Sequence, residues 1–227
     1  MAQSRPRQAA LPGEPKAPTG RDAGWVFESR AWAEGFRAVA GVDEVGRGAL
    51  AGPVLAAAVV FPPGCRPTGL RDSKLLTPAR REALALEITD QAAAVALARV
   101  EADVVDRINV LQATLVAMSR AVALLAVRPD FLLLDAVRMP GTRLPQRRIV
   151  HGDRLSASIA AASIIAKVER DRLMVEFGKT YPYYGFGEHK GYGTRAHIDA
   201  LERLGPSPIH RRSFRRVGTG EGDSQLF

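Results

Sequence analysis

The chain has 227 residues, with 32 lysines and arginines against 24 aspartates and glutamates, giving a net charge of +8 and a pI of about 10.2. That length suits one packed domain plus tails, and the charge suits a polyanionic partner, either nucleic acid or an acidic membrane surface. A lone Cys65 excludes an internal disulfide and a cysteine-built zinc site, and no apolar run approaches the ~20 residues of a membrane span. With no apolar signal core at the N-terminus either, a soluble, cytoplasmic protein is expected.

Residues 1–22 hold Pro6, Pro12, Pro15 and Pro18 among alanines and scattered charges, a composition that predicts a disordered tail. Val39 and Val42 predict a strand that closes on Asp43-Glu44, and Gly46, Gly48 and Gly52 let the backbone after it turn tightly and approach a ligand. Packed carboxylates repel one another unless cations neutralise them, and hard divalent ions take oxygen ligands, so this strand end reads as a Mg²⁺ or Mn²⁺ site. A solvated Asp-Glu turn is the competing reading of the dipeptide alone. The apolar stretch 53–61 predicts a second buried strand, forming a hairpin with the first. Thr77-Pro78 supplies an N-cap and a first-turn proline for a helix reaching Asp90, and a third strand is expected over 93–100. Leu111, Leu115, Met118, Val122 and Leu125 fall at three- and four-residue steps, which predicts a helix over 109–127, ended by Pro129. Phe131–Asp135 is a wholly apolar strand ending in a carboxylate, repeating the pattern of Asp43. A short strand over 147–150 follows, and Gly152-Asp153 leads into a long helix over 156–177 with a face of small residues. The glycine- and tyrosine-rich stretch 181–194 predicts a functional loop, and a last helix over 194–204 precedes the basic run 210–216.

Taken in order, Gly41-Val42-Asp43-Glu44-Val45-Gly46-Arg47-Gly48, Asp72-Ser73-Lys74, Leu133-Leu134-Asp135, Gly152-Asp153, the run 158–168 and His189-Lys190-Gly191-Tyr192-Gly193-Thr194 resemble ribonuclease HII, the bacterial type 2 ribonuclease H. The likeness runs from about Val39 to Phe214, and the order and spacing of the motifs make it specific. It implies an α/β ribonuclease H-like fold, a mixed five-stranded sheet flanked by helices with a C-terminal helical and loop extension. Residues 23–217 would then be the catalytic domain and 218–227 a flexible tail. The resemblance also implies an endonuclease that hydrolyses the RNA strand of RNA/DNA hybrids and cuts at single ribonucleotides in duplex DNA, leaving 3′-hydroxyl and 5′-phosphate ends. Such an enzyme serves ribonucleotide removal and primer RNA degradation, and a monomer is expected. Three positions depart from the family pattern: Leu75 where a lysine is common, Ala136 where glycine is common, and His151 where lysine is common.

Phosphodiester hydrolysis needs an acidified water and a stabilised leaving oxygen, which two metals about 3.5–4 Å apart supply. Asp43, Glu44, Asp135 and Asp153 are the candidate ligands and catalytic carboxylates. Neighbours in a regular strand face opposite sides, so the strand is expected to end or twist at Glu44 for both carboxylates to reach one site. Asp153 has a competing role, charge stabilisation of the helix that follows. Gly46, Arg47 and Gly48 are candidates to read a 2′-hydroxyl through the backbone. Lys74, Lys190 and Arg47 suit phosphate contacts, and Tyr192 is implied by resemblance to stack on the sugar at the RNA–DNA junction, with a loop anchor as the alternative. The four histidines lack metal-ligand spacing and are assigned no role, a surface position being expected for His189. Two other classes compete: a nuclease or transposase on the same acidic fold, and a non-catalytic hybrid binder, against which four carboxylates argue. The ending Asp223-Ser224-Gln225-Leu226-Phe227 resembles clamp-binding peptides and suggests a sliding clamp as a partner.

Overall fold

The computed structural model describes residues 22–218, so the N-terminal tail and the clamp-like ending both lie outside the described residues. The described chain divides into two compact units. The first comprises the residues up to Glu44, Ala56–Ala98 and Met118–Val168; the second comprises Val45–Leu55, Arg99–Ala117 and the residues from Glu169 onward.

In chain order the elements are α1 (Val26–Ala33), β1 (Val39–Val45), β2 (Val54–Val60), α2 (Pro78–Gln91), β3 (Ala94–Val100), α3 (Ala102–Ile108), α4 (Val110–Ala123), β4 (Phe131–Asp135), β5 (Gln146–Ile149), α5 (Gly152–Leu155), α6 (Ala157–Thr180), α7 (Phe186–His189) and α8 (Arg195–Leu204). The strands form one mixed sheet in the order β3-β2-β1-β4-β5. β1 and β2 are sheet neighbours joined by the glycine-rich segment 46–53, as the hairpin expectation requires.

The first unit is organised around β1 and β4. These pair in parallel with Val42 opposite Leu134, so the next residues, Asp43 within β1 and Asp135 at the end of β4, stand at the same level on adjacent strands. Every residue of β2 and the first four of β4 are buried, the continuous apolar pattern of central strands. Phe27, Ala31, Val39, Phe131, Leu133, Ile149 and Ile159 form a core that draws on both α1 and α6. α2 starts where predicted, Thr77 Oγ1 accepting the Arg80 amide at 3.3 Å and Pro78 taking the first helical position.

The short helix α1 carries a buried charge that periodicity does not reveal. Glu28 is 1% exposed and accepts from Ser156 Oγ at 2.6 Å and the Ser158 amide at 2.9 Å, with Ser158 Oγ as a third donor. Burial raises its pKa, and the serine hydrogen bonds hold that rise down. Oε1 of Glu28 thereby accepts one of the unpaired amides at the start of α6, that of Ser158.

The second unit packs Leu50, Leu201 and Val217 with Ile198 and Phe214, and separately Ala51, Met174 and Phe186 with Tyr181 and Tyr184. Its α3, unannounced by the sequence pattern, uses Asp106 to accept from the Arg212 amide at 2.8 Å and the Ser213 amide at 3.0 Å.

Candidate active site

Asp43 is 5% exposed, and its Oδ1 accepts the Glu44 amide at 2.8 Å. Burial pushes its carboxyl well above the usual carboxylate range, and the charges of Glu44 and Asp135 push the same way, against a hydrogen bond from Ser163. Asp135, at the neighbouring strand end, accepts the Gly152 amide at 2.7 Å. That bond ties β4 to the turn carrying Asp153, which is 7% exposed and also raised, first by burial and then by the charges of Asp72 and Asp135. Asp43 and Asp153 therefore share one electrostatic neighbourhood, each raised in part by the charge of Asp135.

Of the two alternatives expected at Glu44, an end or a twist of the strand, the first does not occur. β1 continues through Val45, and Glu44 remains a half-buried strand residue beside buried Asp43. Successive strand side chains face opposite sides, and among the described residues no three His, Cys, Asp or Glu side chains are gathered as a ready-made metal cage.

Several residues of this neighbourhood carried no assigned role in the sequence. Asp72 is 1% exposed, caps the 3₁₀ turn of Ser73–Leu75 by accepting the Lys74 amide at 3.0 Å, and receives Arg154 through Nε at 3.2 Å and Nη2 at 3.1 Å. Ser163 joins Ser73 at 3.1 Å as well as Asp43. Both sit within motifs that the sequence displayed, so the signal was present without the partner. Lys74 itself is exposed.

In the second unit the turn after β1 separates into two kinds of position. Gly46 is buried at φ +93°, and a Cβ there would collide with Arg170 Nε and lie 2.9 Å from the Pro53 carbonyl. Gly48 is exposed, and a Cβ there would meet nothing within 4 Å. Arg47, between them, is half-buried and accepts Arg211 Nη1 on its carbonyl at 2.9 Å. Lys190 is left-handed at φ +53° and donates its Nζ to the Gly187 carbonyl, while the Tyr192 ring lies 5.3 Å from the Arg170 guanidinium.

Three of the four histidines, half-buried His189 and buried His197 and His210, come together, whereas His151 is exposed. His189 and His197 stack with ring centroids 4.3 Å apart, and His197 Nε2 lies 3.0 Å from His210 Nε2. One set of neutral tautomers satisfies every contact. His197 Nδ1 donates to the Tyr192 carbonyl at 3.0 Å, and its Nε2 accepts from His210 Nε2. His210 Nδ1 then accepts the Ser207 amide at 2.9 Å. His189 Nε2 donates to the Tyr184 carbonyl at 2.7 Å while its Nδ1 accepts the Gly191 amide at 3.2 Å. The loop that carries Tyr192 thus rests on a neutral imidazole network.

The five-stranded mixed sheet with its helices agrees with the comparisons with known proteins. A family model described as Ribonuclease HII covers residues 40–217. The chain belongs to the ribonuclease HII family. It is therefore similar to endoribonucleases, and ribonuclease H activity is the coarse function that follows. The ribonuclease HII of Geobacter sulfurreducens is 54% identical over 201 residues, covering 88% of this chain and 93% of that relative. Among solved structures, ribonuclease H2 from Pyrococcus horikoshii aligns at a TM-score of 0.69 and 27% identity, over 79% of this chain and 95% of that one. A ribonuclease HII from Archaeoglobus fulgidus, solved in a complex with PCNA, aligns at 0.62 and 25% identity, over 77% and 92%. Among the described residues no helix is long and apolar enough to cross a membrane.

Proposed function

We propose that this ribonuclease HII is a metal-dependent endonuclease that hydrolyses the RNA strand of RNA/DNA hybrids and incises duplex DNA at single ribonucleotides, leaving 3′-hydroxyl and 5′-phosphate ends. The observation that supports the proposal is the charge of Asp135 acting on both Asp43 and Asp153, two buried carboxylates that are each raised by burial and by this repulsion. An all-carboxylate oxygen donor set fits Mg²⁺ or Mn²⁺ by hardness. Asp43, Glu44, Asp135 and Asp153 would hold the metal. When bound, two such ions lower the pKa of the attacking water and stabilise the departing oxygen.

The chain's own residues supply position. The Gly152 amide holds Asp135, and the Arg154–Asp72 pair steadies the turn beside Asp153. Gly48, with open space where a Cβ would stand, is the point at which backbone can meet a 2′-hydroxyl. Gly46 and Arg47 shape that turn, Tyr192 offers a ring to the sugar beside the ribonucleotide, and Lys74, Lys190 and Arg47 meet phosphates, which position the duplex without reading sequence. Residues 23–217 are read as the catalytic domain, acting as a cytoplasmic monomer in ribonucleotide removal and primer degradation.

Incubating the full chain with Mg²⁺ or Mn²⁺ and a duplex bearing one ribonucleotide tests this reading. Incision on the 5′ side of the ribonucleotide or at the adjoining phosphate, absent from an all-DNA duplex, is expected; equal cutting of both duplexes would favour a ribose-blind nuclease on the same fold. The complex of the Archaeoglobus fulgidus relative with PCNA supports a second element, docking of the ending 223–227 on a sliding clamp. Clamp titration with the full chain and with one ending at Thr219 tests it, and equal binding by the two would dismiss it.

A further inference from the structure

The second unit buries two guanidiniums completely: Arg170 and Arg211 are each 0% exposed. Their hydrogen bonds run to backbone carbonyls. Arg170 donates from Nε to Pro53 at 3.1 Å, from Nη2 to Ala51 at 3.1 Å and from Nη1 to Lys190 at 2.9 Å. Arg211 donates from Nε and Nη2 to Gly52 at 3.0 and 2.8 Å, and from Nη1 to Arg47 at 2.9 Å. Burial lowers both pKa values, and the Arg170 charge helps push Arg211 down to about 9, still a cation at neutral pH.

Burying two mutually repelling cations is unfavourable, and apolar side chains of similar volume commonly serve a fold at least as well. What an apolar side chain cannot do is seize carbonyls from two separate backbone segments at once. Arg170 spans the turn 46–53 and the segment at Lys190, and it also lies against the Tyr192 ring. Only a planar fork with five donors makes these bonds together; a lysine has three donors on a single nitrogen.

We propose that Arg170 and Arg211 are positioning residues that set ribonucleotide selectivity, clamping the turn at Gly46-Arg47-Gly48 and the Tyr192 segment into one rigid reading surface. The inference rests on the proposed reading of a 2′-hydroxyl by that turn. Neither guanidinium touches substrate; each acts through the carbonyls it holds.

The test uses the full chain carrying Arg170→Lys or Arg211→Lys, assayed below the onset of unfolding seen by circular dichroism. kcat and KM are measured on a single-ribonucleotide duplex and on a continuous hybrid. The expected result is a fall of about tenfold or more in kcat on the single-ribonucleotide duplex, with KM nearly unchanged and a distinctly smaller fall on the continuous hybrid, the size that misplacement on the ångström scale produces. Equal losses on both substrates, unchanged kinetics, or loss of the folded state in both variants would assign the pair to the fold alone and overturn the inference. Failure of the underlying reading shows separately, as a wild-type chain that does not distinguish ribonucleotide-bearing from all-DNA duplexes.

Discussion

Gly46 and Gly48 stand two residues apart in one motif, yet replacing each by alanine should damage different properties. At Gly46 the new Cβ faces two penalties. A non-glycine residue at φ +93° is strained by about 1–2 kcal/mol. The collision with Arg170 Nε also displaces a buried cation from the Pro53 carbonyl, and losing a charged hydrogen bond there costs roughly 1.5–3 kcal/mol. The sum, about 2.5–5 kcal/mol, lowers the melting temperature by roughly 5–20 °C for a chain of this size. Gly48→Ala meets open space, so its melting temperature should stay within a degree or two, while cleavage at a single ribonucleotide falls by about tenfold or more because the Cβ stands where the sugar must approach. Thermal unfolding followed by circular dichroism, paired with cleavage of a single-ribonucleotide duplex, reads both properties. A Gly46→Ala protein as stable as wild type would refute the account of Arg170, and a fully active Gly48→Ala protein would refute the approach of ribose to this turn.

Asp135→Asn keeps an acceptor for the Gly152 amide and removes one of the repelling charges; it should abolish turnover, leave hybrid binding near wild type and raise the melting temperature in chelator, where a fall would contradict the repulsion. Ala136 sits at φ +46°, so Ala136→Gly should stabilise the chain by roughly 0.5–1 kcal/mol in urea titration, and a destabilisation would show that the left-handed turn is not strained. Acid should loosen the histidine network. His210 is held near 4 against an ordinary 6.5, so the stability it contributes is full above pH 6.5 and is lost as pH falls towards 4, on the order of 2–3 kcal/mol. Urea unfolding from pH 7 to 4.5 measures this, and an equally steep acid limb in His210→Gln would assign the effect to other groups.

The sheet and its acidic strand ends were legible because both signals are local. Four buried residues followed by a carboxylate describe a buried strand meeting an acidic edge; β4 ends in this way, and β1 shows the same run before Asp43. What periodicity missed depends on partners far along the chain. Glu28 looks like a surface glutamate of a short segment until Ser156 and Ser158 arrive to satisfy it. Likewise His189, His197 and His210 have no ligand-like spacing, and only the packing of α7, α8 and the segment after them brings the rings into contact. The motif Gly46-Arg47-Gly48 suits both a tight turn and backbone approach to a ligand, and sterics divide these between its glycines, one required by Arg170 and the other with open space. Arg170 and Arg211 gave no warning at all, since a basic residue in a basic chain looks like solvent-exposed charge until its burial is seen.

The buried Glu28 has a consequence for how the chain is made. Its acceptor atoms wait for Ser156 and Ser158, which follow it by 128 and 130 residues. While the chain emerges from the ribosome, α1 is completed early but cannot bury its carboxylate until the start of α6 has been synthesised, and closing so long a loop is slow. By then Asp43, Asp135 and Asp153 have all been translated as well. Asp153 and the lock on the N-terminal helix thus arrive within a few residues of one another, so the proposed carboxylate cluster stays incomplete for most of the chain's synthesis.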